Sequence, residues 1–221
     1  MRAFLHALLA IVLATCAQAP SRTAPASAEW ESEIRQFEAA DREHPPAPSG
    51  VVFVGSSSIR LWPSLERDFP GVPLVNRGFG GSGLGDVVRL ADRIVVPYRP
   101  RLVVLYAGDN DLAAGRTPAQ VFGDFRAFVA RVRRELPGTR VAYISIKPSP
   151  ARWSLADHIR DANRLIQDYT RSDGSLVFVD VYTPMLDASG RPRGELFVAD
   201  GLHMNAAGYA LWRELIAPIL R

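Results

Sequence analysis

Short apolar runs alternate along this chain with longer stretches of helical spacing, and no other feature restricts the fold so tightly. Val51-Val52-Phe53-Val54 is the first run and opens into Gly55; similar runs stand at 72–75, 102–106, 141–146 and 176–179, predicting five strands. None alternates cleanly between apolar and polar residues, so each strand is expected to be covered on both faces. Trp30, Ile34, Phe37 and Ala40 recur at helical spacing with charges between them, and that helix must end before Pro45-Pro46. Further helices are predicted at 84–96, 118–136, 155–169 and about 205–220, the second carrying Val121, Phe122, Phe125, Phe128, Val129 and Val132 on one face. Buried strands separated by amphipathic helices imply an α/β chain: a single three-layer α/β/α domain around a five-stranded parallel sheet. With 221 residues and no internal repeat, one domain of the usual size of roughly 100 to 200 residues accounts for the chain.

The first 28 residues do not join this pattern. Arg2 is followed by an apolar stretch to Ala14, too short for the ~20 residues that span a bilayer, as expected of an export signal. Leu13-Ala14-Thr15-Cys16 resembles a bacterial lipobox, so the expected mature chain is either lipidated at Cys16 and membrane-anchored or, as the alternative, cleaved nearby and released. Residues 17–28, rich in Pro, Ala and Ser, then form a tether. The folded domain is expected over 29–221, in the periplasm or outside the cell.

Composition removes several functional classes. Cys16 is the only cysteine, which excludes an internal disulfide framework and a cysteine-based zinc site. The 26 basic residues, all but Lys147 arginine, interleave with 23 acids for a net charge of +3, giving no basic block for nucleic acid. Gly78-x-Gly80-x-x-Gly83 satisfies the dinucleotide fingerprint formally, but it follows the second strand and lacks the acid about 20 residues on that would hold a ribose. No His-Glu-x-x-His motif, no phosphate loop and no Gly-x-Ser-x-Gly elbow occurs.

In a parallel sheet, ligands bind beyond the carboxyl ends of the strands. There the sequence reads Gly55-Ser56-Ser57-Ser58, then Asn76-Arg77-Gly78-Phe79-Gly80-Gly81, then Gly108-Asp109-Asn110-Asp111, with Asp200-Gly201-Leu202-His203 near the C-terminus. Acyl transfer by serine needs a hydroxyl, an imidazole to take its proton, a carboxylate to orient the imidazole, and donors for the oxyanion. Ser57 at a strand-to-helix turn supplies the first, and His203 with Asp200 three residues before it supplies the next two. The Ser57 and Gly81 backbone N–H groups and the Asn110 carboxamide are candidate donors. Taken singly, each block has a plainer reading: a flexible serine turn, a glycine turn, turn residues at 109–111, a surface Asp-His pair. Their joint order along one edge favours the chemistry. Of the other histidines, His6 lies in the export signal, His44 borders the proline pair, and His158 is expected on a solvated helix face.

In this order and at these strand ends the blocks resemble the SGNH (GDSL-type) hydrolases, particularly the branch similar to platelet-activating-factor acetylhydrolase, over about residues 49–216. The resemblance implies a flavodoxin-like SGNH hydrolase fold, no cofactor or metal, and a small-molecule, lipid or glycan ester as partner. It assigns Ser57 as nucleophile, His203 as base, Asp200 as its orienter, and Ser57, Gly81 and Asn110 as the oxyanion hole. Two positions depart from the family pattern: Ser56 stands where an aspartate is usual, and Ser82 follows the glycine pair. Ser58 is a rival hydroxyl, expected instead to cap or pack the helix that follows. The function expected is an exported serine esterase that cleaves short acyl esters through an acyl-enzyme. The alternatives are acyl transfer to a glycan hydroxyl at the same site, and a non-catalytic envelope protein that binds glycan or lipid. Loops 148–155 and 185–197 are expected to set the substrate.

Overall fold

The computed structural model describes residues 29–221; the expected export signal, Cys16 and the expected tether over 17–28 lie outside the described residues. Five strands form one sheet: β1 Val51–Gly55, β2 Leu74–Gly78, β3 Leu102–Tyr106, β4 Arg140–Ile144 and β5 Leu176–Val179. Every pairing is parallel and the order is β2-β1-β3-β4-β5, the flavodoxin-like order. Eight α-helices are present among the described residues: α1 Glu31–Glu43, α2 Ser57–Arg60, α3 Leu65–Asp68, α4 Leu84–Ile94, α5 Asp109–Ala113, α6 Pro118–Glu135, α7 Ala156–Arg171 and α8 Ala206–Ile216.

Alternate residues of each strand feed two cores. Val52, Val54, Val103, Leu105, Val141 and Tyr143 face α1, α4, α6 and α7. Phe53, Leu102, Val104, Tyr106, Ala142 and Ile144 face α2, α3 and α8. Burying one such side chain stabilises the fold by about 1.5–3 kcal/mol, which is why continuous apolar strands demand helices on both sides. The three-layer arrangement expected from the sequence is the one observed.

Element boundaries moved where tertiary partners decided them. The second strand, expected at 72–75, runs Leu74–Gly78, because the polar pair Asn76-Arg77 is absorbed at the sheet edge. Arg77 is bonded to Asp41, donates from Nε to the Tyr98 hydroxyl at 2.6 Å, and lies between the Phe37 and Tyr98 rings. The fourth strand, expected to reach 146, stops at Ile144. Beyond it, Ile146 exchanges two backbone bonds with the Asn163 carboxamide on α7, at 2.8 and 2.9 Å. The last helix begins after Asn205, whose Oδ1 accepts from Ala207 N and Gly208 N, and gives way to a 3-10 turn over Ala217–Leu220. Helices α2, α3 and α5 have four, four and five residues, too few to show a helical period in sequence.

Candidate active site

The carboxyl ends of β1, β2 and β3 lie level, with Gly55 paired to Gly78 and to Tyr106, and short bonds lace the loops beyond them. Phe79 N donates to Gly55 O at 2.8 Å and Ser56 N to Tyr106 O at 3.0 Å. Asn110 Nδ2 donates to Ser82 O at 3.0 Å, and Leu84 N donates to the Asp111 carboxylate at 2.9 Å. Gly55 is required at this junction: its φ is +138°, and a Cβ there would sit 1.8 Å from Tyr106 O. The chain leaves β1 abruptly and places Ser57 at the first position of α2.

Ser57 Oγ lies 3.1 Å from His203 Nε2, and His203 Nδ1 lies 2.7 Å from Asp200 Oδ2. With Asp200 ionised, Nδ1 carries the proton and Nε2 offers its lone pair to the serine hydroxyl. Asp200 is held by three N–H groups: the His203 ring, then the backbone amides of His203 and Leu202, which reach Oδ1 at 2.9 and 2.8 Å. These hold its carboxyl down at about 2, the ring bond contributing most. The histidine segment is itself clamped, since Val198 N donates to His203 O and the Asn205 carboxamide donates to Glu195 O and Phe197 O.

Among the neighbouring serines, only Ser57 meets the imidazole. Ser58 is buried and its carbonyl accepts from the Tyr209 hydroxyl at 3.1 Å. It packs the helix and does not cap it; the capping position belongs to Ser56, whose buried Oγ has no hydrogen-bond partner. A cap needs extended backbone ahead of the first helical residue, and the turn at Gly55 delivers that backbone at Ser56, two residues earlier than the expectation for Ser58.

The three expected oxyanion donors occupy adjoining loops. Neither Ser57 N nor Gly81 N donates to another group among the described residues. Gly81 has φ +77° and open space where a Cβ would stand, so backbone conformation is what demands glycine here. Asn110 spends one amide hydrogen on Ser82 O and keeps the other free. Its orientation is dictated from behind, because Arg152 Nη2 donates to Asn110 Oδ1 at 2.9 Å and a guanidinium can only donate.

Arg152, Lys147 and Asp109 were not singled out in the sequence, yet they form a buried ion cluster beneath Asn110. Asp109, read there as a turn residue, accepts from Asn110 N at 3.0 Å. Its Oδ2 lies 3.4 Å from Lys147 Nζ and 3.0 Å from Arg152 Nη1. The latter contact is charge attraction without hydrogen-bond geometry, which leaves Nη1 unbonded. Burial alone would raise the Asp109 carboxyl, but the Lys147 and Arg152 charges outweigh it and hold it below its ordinary value. Burial likewise lowers Lys147, which also bonds the Tyr106 hydroxyl at 3.1 Å. The one signal available was a lone lysine beyond an apolar strand in an otherwise arginine-only chain. Asp111, also read as a turn residue, accepts from the first amide of α4, and burial raises its carboxyl. His158 is exposed on α7, as expected.

Gly81 and Asn110 open onto a cavity of about 180 Å³ that also meets Gly83, Ala114, Arg89 and Arg116. A larger cavity, about 490 Å³, flanks the outer edge of β2 between Asp41 and Tyr98 and touches none of these catalytic candidates. No group of three or more His, Cys, Asp or Glu side chains among the described residues is placed to hold a metal.

Comparison with known proteins adds to this geometry. The model of the GDSL-like Lipase/Acylhydrolase family matches residues 49–211. Among solved structures, a Streptococcus pneumonia protein provisionally described as a platelet activating factor superposes with a TM-score of 0.78 at 22% identity, covering 88% of this chain and 94% of its own. A GDSL-like lipase from Bacteroides thetaiotaomicron gives 0.72 at 21% identity, with 86% and 97% covered. A carbohydrate esterase family 3 protein from Talaromyces cellulolyticus gives 0.60 at 20% identity, with 77% and 95% covered. No curated protein matches the chain.

Proposed function

The chain belongs to the GDSL-like lipase/acylhydrolase family, and from that premise we propose that it is an exported serine esterase acting on short acyl esters through an acyl-enzyme. The observation that carries the proposal is the alignment of Ser57, His203 and Asp200 at 3.1 and 2.7 Å. In the first step Ser57 Oγ attacks the ester carbonyl carbon while Nε2 takes its proton. Asp200 stabilises the imidazolium so formed. The carbonyl oxygen becomes an oxyanion facing the Ser57 and Gly81 amides and the free Asn110 N–H, groups already oriented before charge develops. Collapse expels the alcohol, which takes the proton back from Nε2. Water then attacks the acyl-enzyme with His203 again as base, and the acid leaves from Ser57.

The 180 Å³ cavity that borders the proposed oxyanion donors Gly81 and Asn110, but not Ser57 or His203, supports a small acyl group. Glycines, Ala114, Asn110 and charged side chains line it, with no large aliphatic or aromatic residue. A long acyl chain would find little apolar surface to bury there. Export is supported by Arg2 and the apolar stretch to Ala14.

The test is a series of chromogenic esters of increasing acyl length, with acetylated glycans beside them, on wild type and Ser57→Ala. Acetate should be the best acyl group and the variant inactive. Turnover that rises steadily with chain length would reject the short-acyl reading. Turnover no greater than that of Ser57→Ala would reject the esterase for a binding protein, and acetyl found on an added sugar instead of in water would make it a transferase.

A further inference from the structure

Trp30 stands just before α1, its ring buried against Phe79 with centroids 5.6 Å apart and planes at 72°. Its Nε1 donates to Gly80 O at 2.8 Å. A buried tryptophan ordinarily finds a partner for its N–H; the carbonyl it has found here is the informative part. Gly80 C=O and Gly81 N–H belong to one peptide unit, no described peptide is cis, and in a trans unit the two groups point in opposite directions. The bond that turns the carbonyl toward Trp30 therefore also sets where the Gly81 N–H points.

Little else holds that peptide. Both flanking residues are glycine, and the Gly81 φ of +77° is the value taken at the third residue of a type II turn. Rotating the peptide about its own Cα–Cα axis would give the type I form, whose negative φ glycine adopts as readily. Arg60 packs against Gly80, within 3.0 Å of where a Cβ would be, while no atom lies within 4 Å of the equivalent point on Gly81. The Arg60 contact restrains the position of the Gly80 Cα and leaves the peptide free to rotate.

We propose that Trp30 is a positioning residue for ester cleavage: its indole N–H holds the Gly80–Gly81 peptide in the orientation that presents the Gly81 N–H to the tetrahedral oxyanion. This rests on the esterase reading of Ser57. Trp30 lies outside the motif blocks and outside the residues matched by the family model, so a residue remote in sequence completes a site that the motifs only outline.

The experiment uses the full chain and two replacements. Trp30→Phe keeps an aromatic ring against Phe79 and removes the donor. Replacing the indole by the isosteric benzothiophene removes the donor without changing volume, and serves if Trp30→Phe does not fold. Loss of an oxyanion donor costs about 10²- to 10³-fold in kcat; a donor present but misdirected part of the time should cost about 10- to 100-fold, with KM for an acetate ester changed by less than about two-fold. Affinity for a trifluoromethyl ketone, which forms a tetrahedral adduct with the serine, should weaken by a similar factor. A lower melting temperature with wild-type kcat below it, or a raised KM with kcat level, would overturn the proposal. An active wild type with unaltered variants rejects only the role of Trp30; an inactive wild type rejects the esterase and the positioning role together.

Discussion

Ser57 and Ser58 are adjacent hydroxyls with different surroundings, one 3.1 Å from His203 Nε2 and the other buried beneath Tyr209. Ser57→Ala should abolish labelling by an organophosphate and nearly all turnover while the protein stays folded. Ser58→Ala should retain most turnover and melt slightly lower, and a label mapped by peptide sequencing to Ser58 would refute the assignment. Asn110→Ala should reduce kcat by about 10²- to 10³-fold with KM nearly level, because the amide stabilises charge present only in the transition state. Arg152→Met leaves the amide in place but frees it to turn its oxygen toward the oxyanion, so a smaller loss of about ten-fold in kcat is expected. Asp200 is held at about 2, chiefly by the His203 ring bond, and so stays ionised throughout the mildly acidic range. The carboxylate should therefore not set the acid limb of the pH–rate profile; a limb centred near pH 2 would show that it does.

At the scale of elements, the buried cluster of Asp109, Lys147 and Arg152 ties α5 to the segment after β4 and to the 3-10 turn Pro150–Leu155. Removing one partner of a buried ion pair typically costs about 3–5 kcal/mol, since the other charge is left uncompensated. Arg152 remains beside Asp109, so Lys147→Met should fall at the lower end, about 3 kcal/mol by urea unfolding, and adding Asp109→Asn should cost less than the sum of the two. Asp109 titrates below its ordinary value. Its charged form thus contributes stability that is present above the ordinary carboxylate range and lost as pH falls through the lowered value. The melting temperature of Asp109→Asn should accordingly depend less on pH in acid than that of wild type; parallel curves would show that the cluster does not supply this dependence.

At the scale of the whole molecule, the sheet gathers distant segments at one edge, while the proposal of export rests on the sequence ahead of residue 29. Mass spectrometry of the native N-terminus should show a chain lipidated at Cys16; an unlipidated chain beginning beyond Cys16 would reject the anchor and leave export intact. The apolar runs and helical periods were legible in the sequence because burial on two faces and on one face leave different repeats. The four blocks were legible because a parallel sheet delivers strand ends to a common edge. These determined the fold class and, as expectations, Ser57, Asp200, His203, Gly81 and Asn110. The extent of β2, the buried Arg77, the cluster beneath Asn110 and the bond from Trp30 to Gly80 were decided only by tertiary structure. Each depends on a partner dozens of residues away, at 38 between Lys147 and Asp109 and 50 between Trp30 and Gly80. Local periodicity records which face of an element is covered, but not which charge or carbonyl covers it.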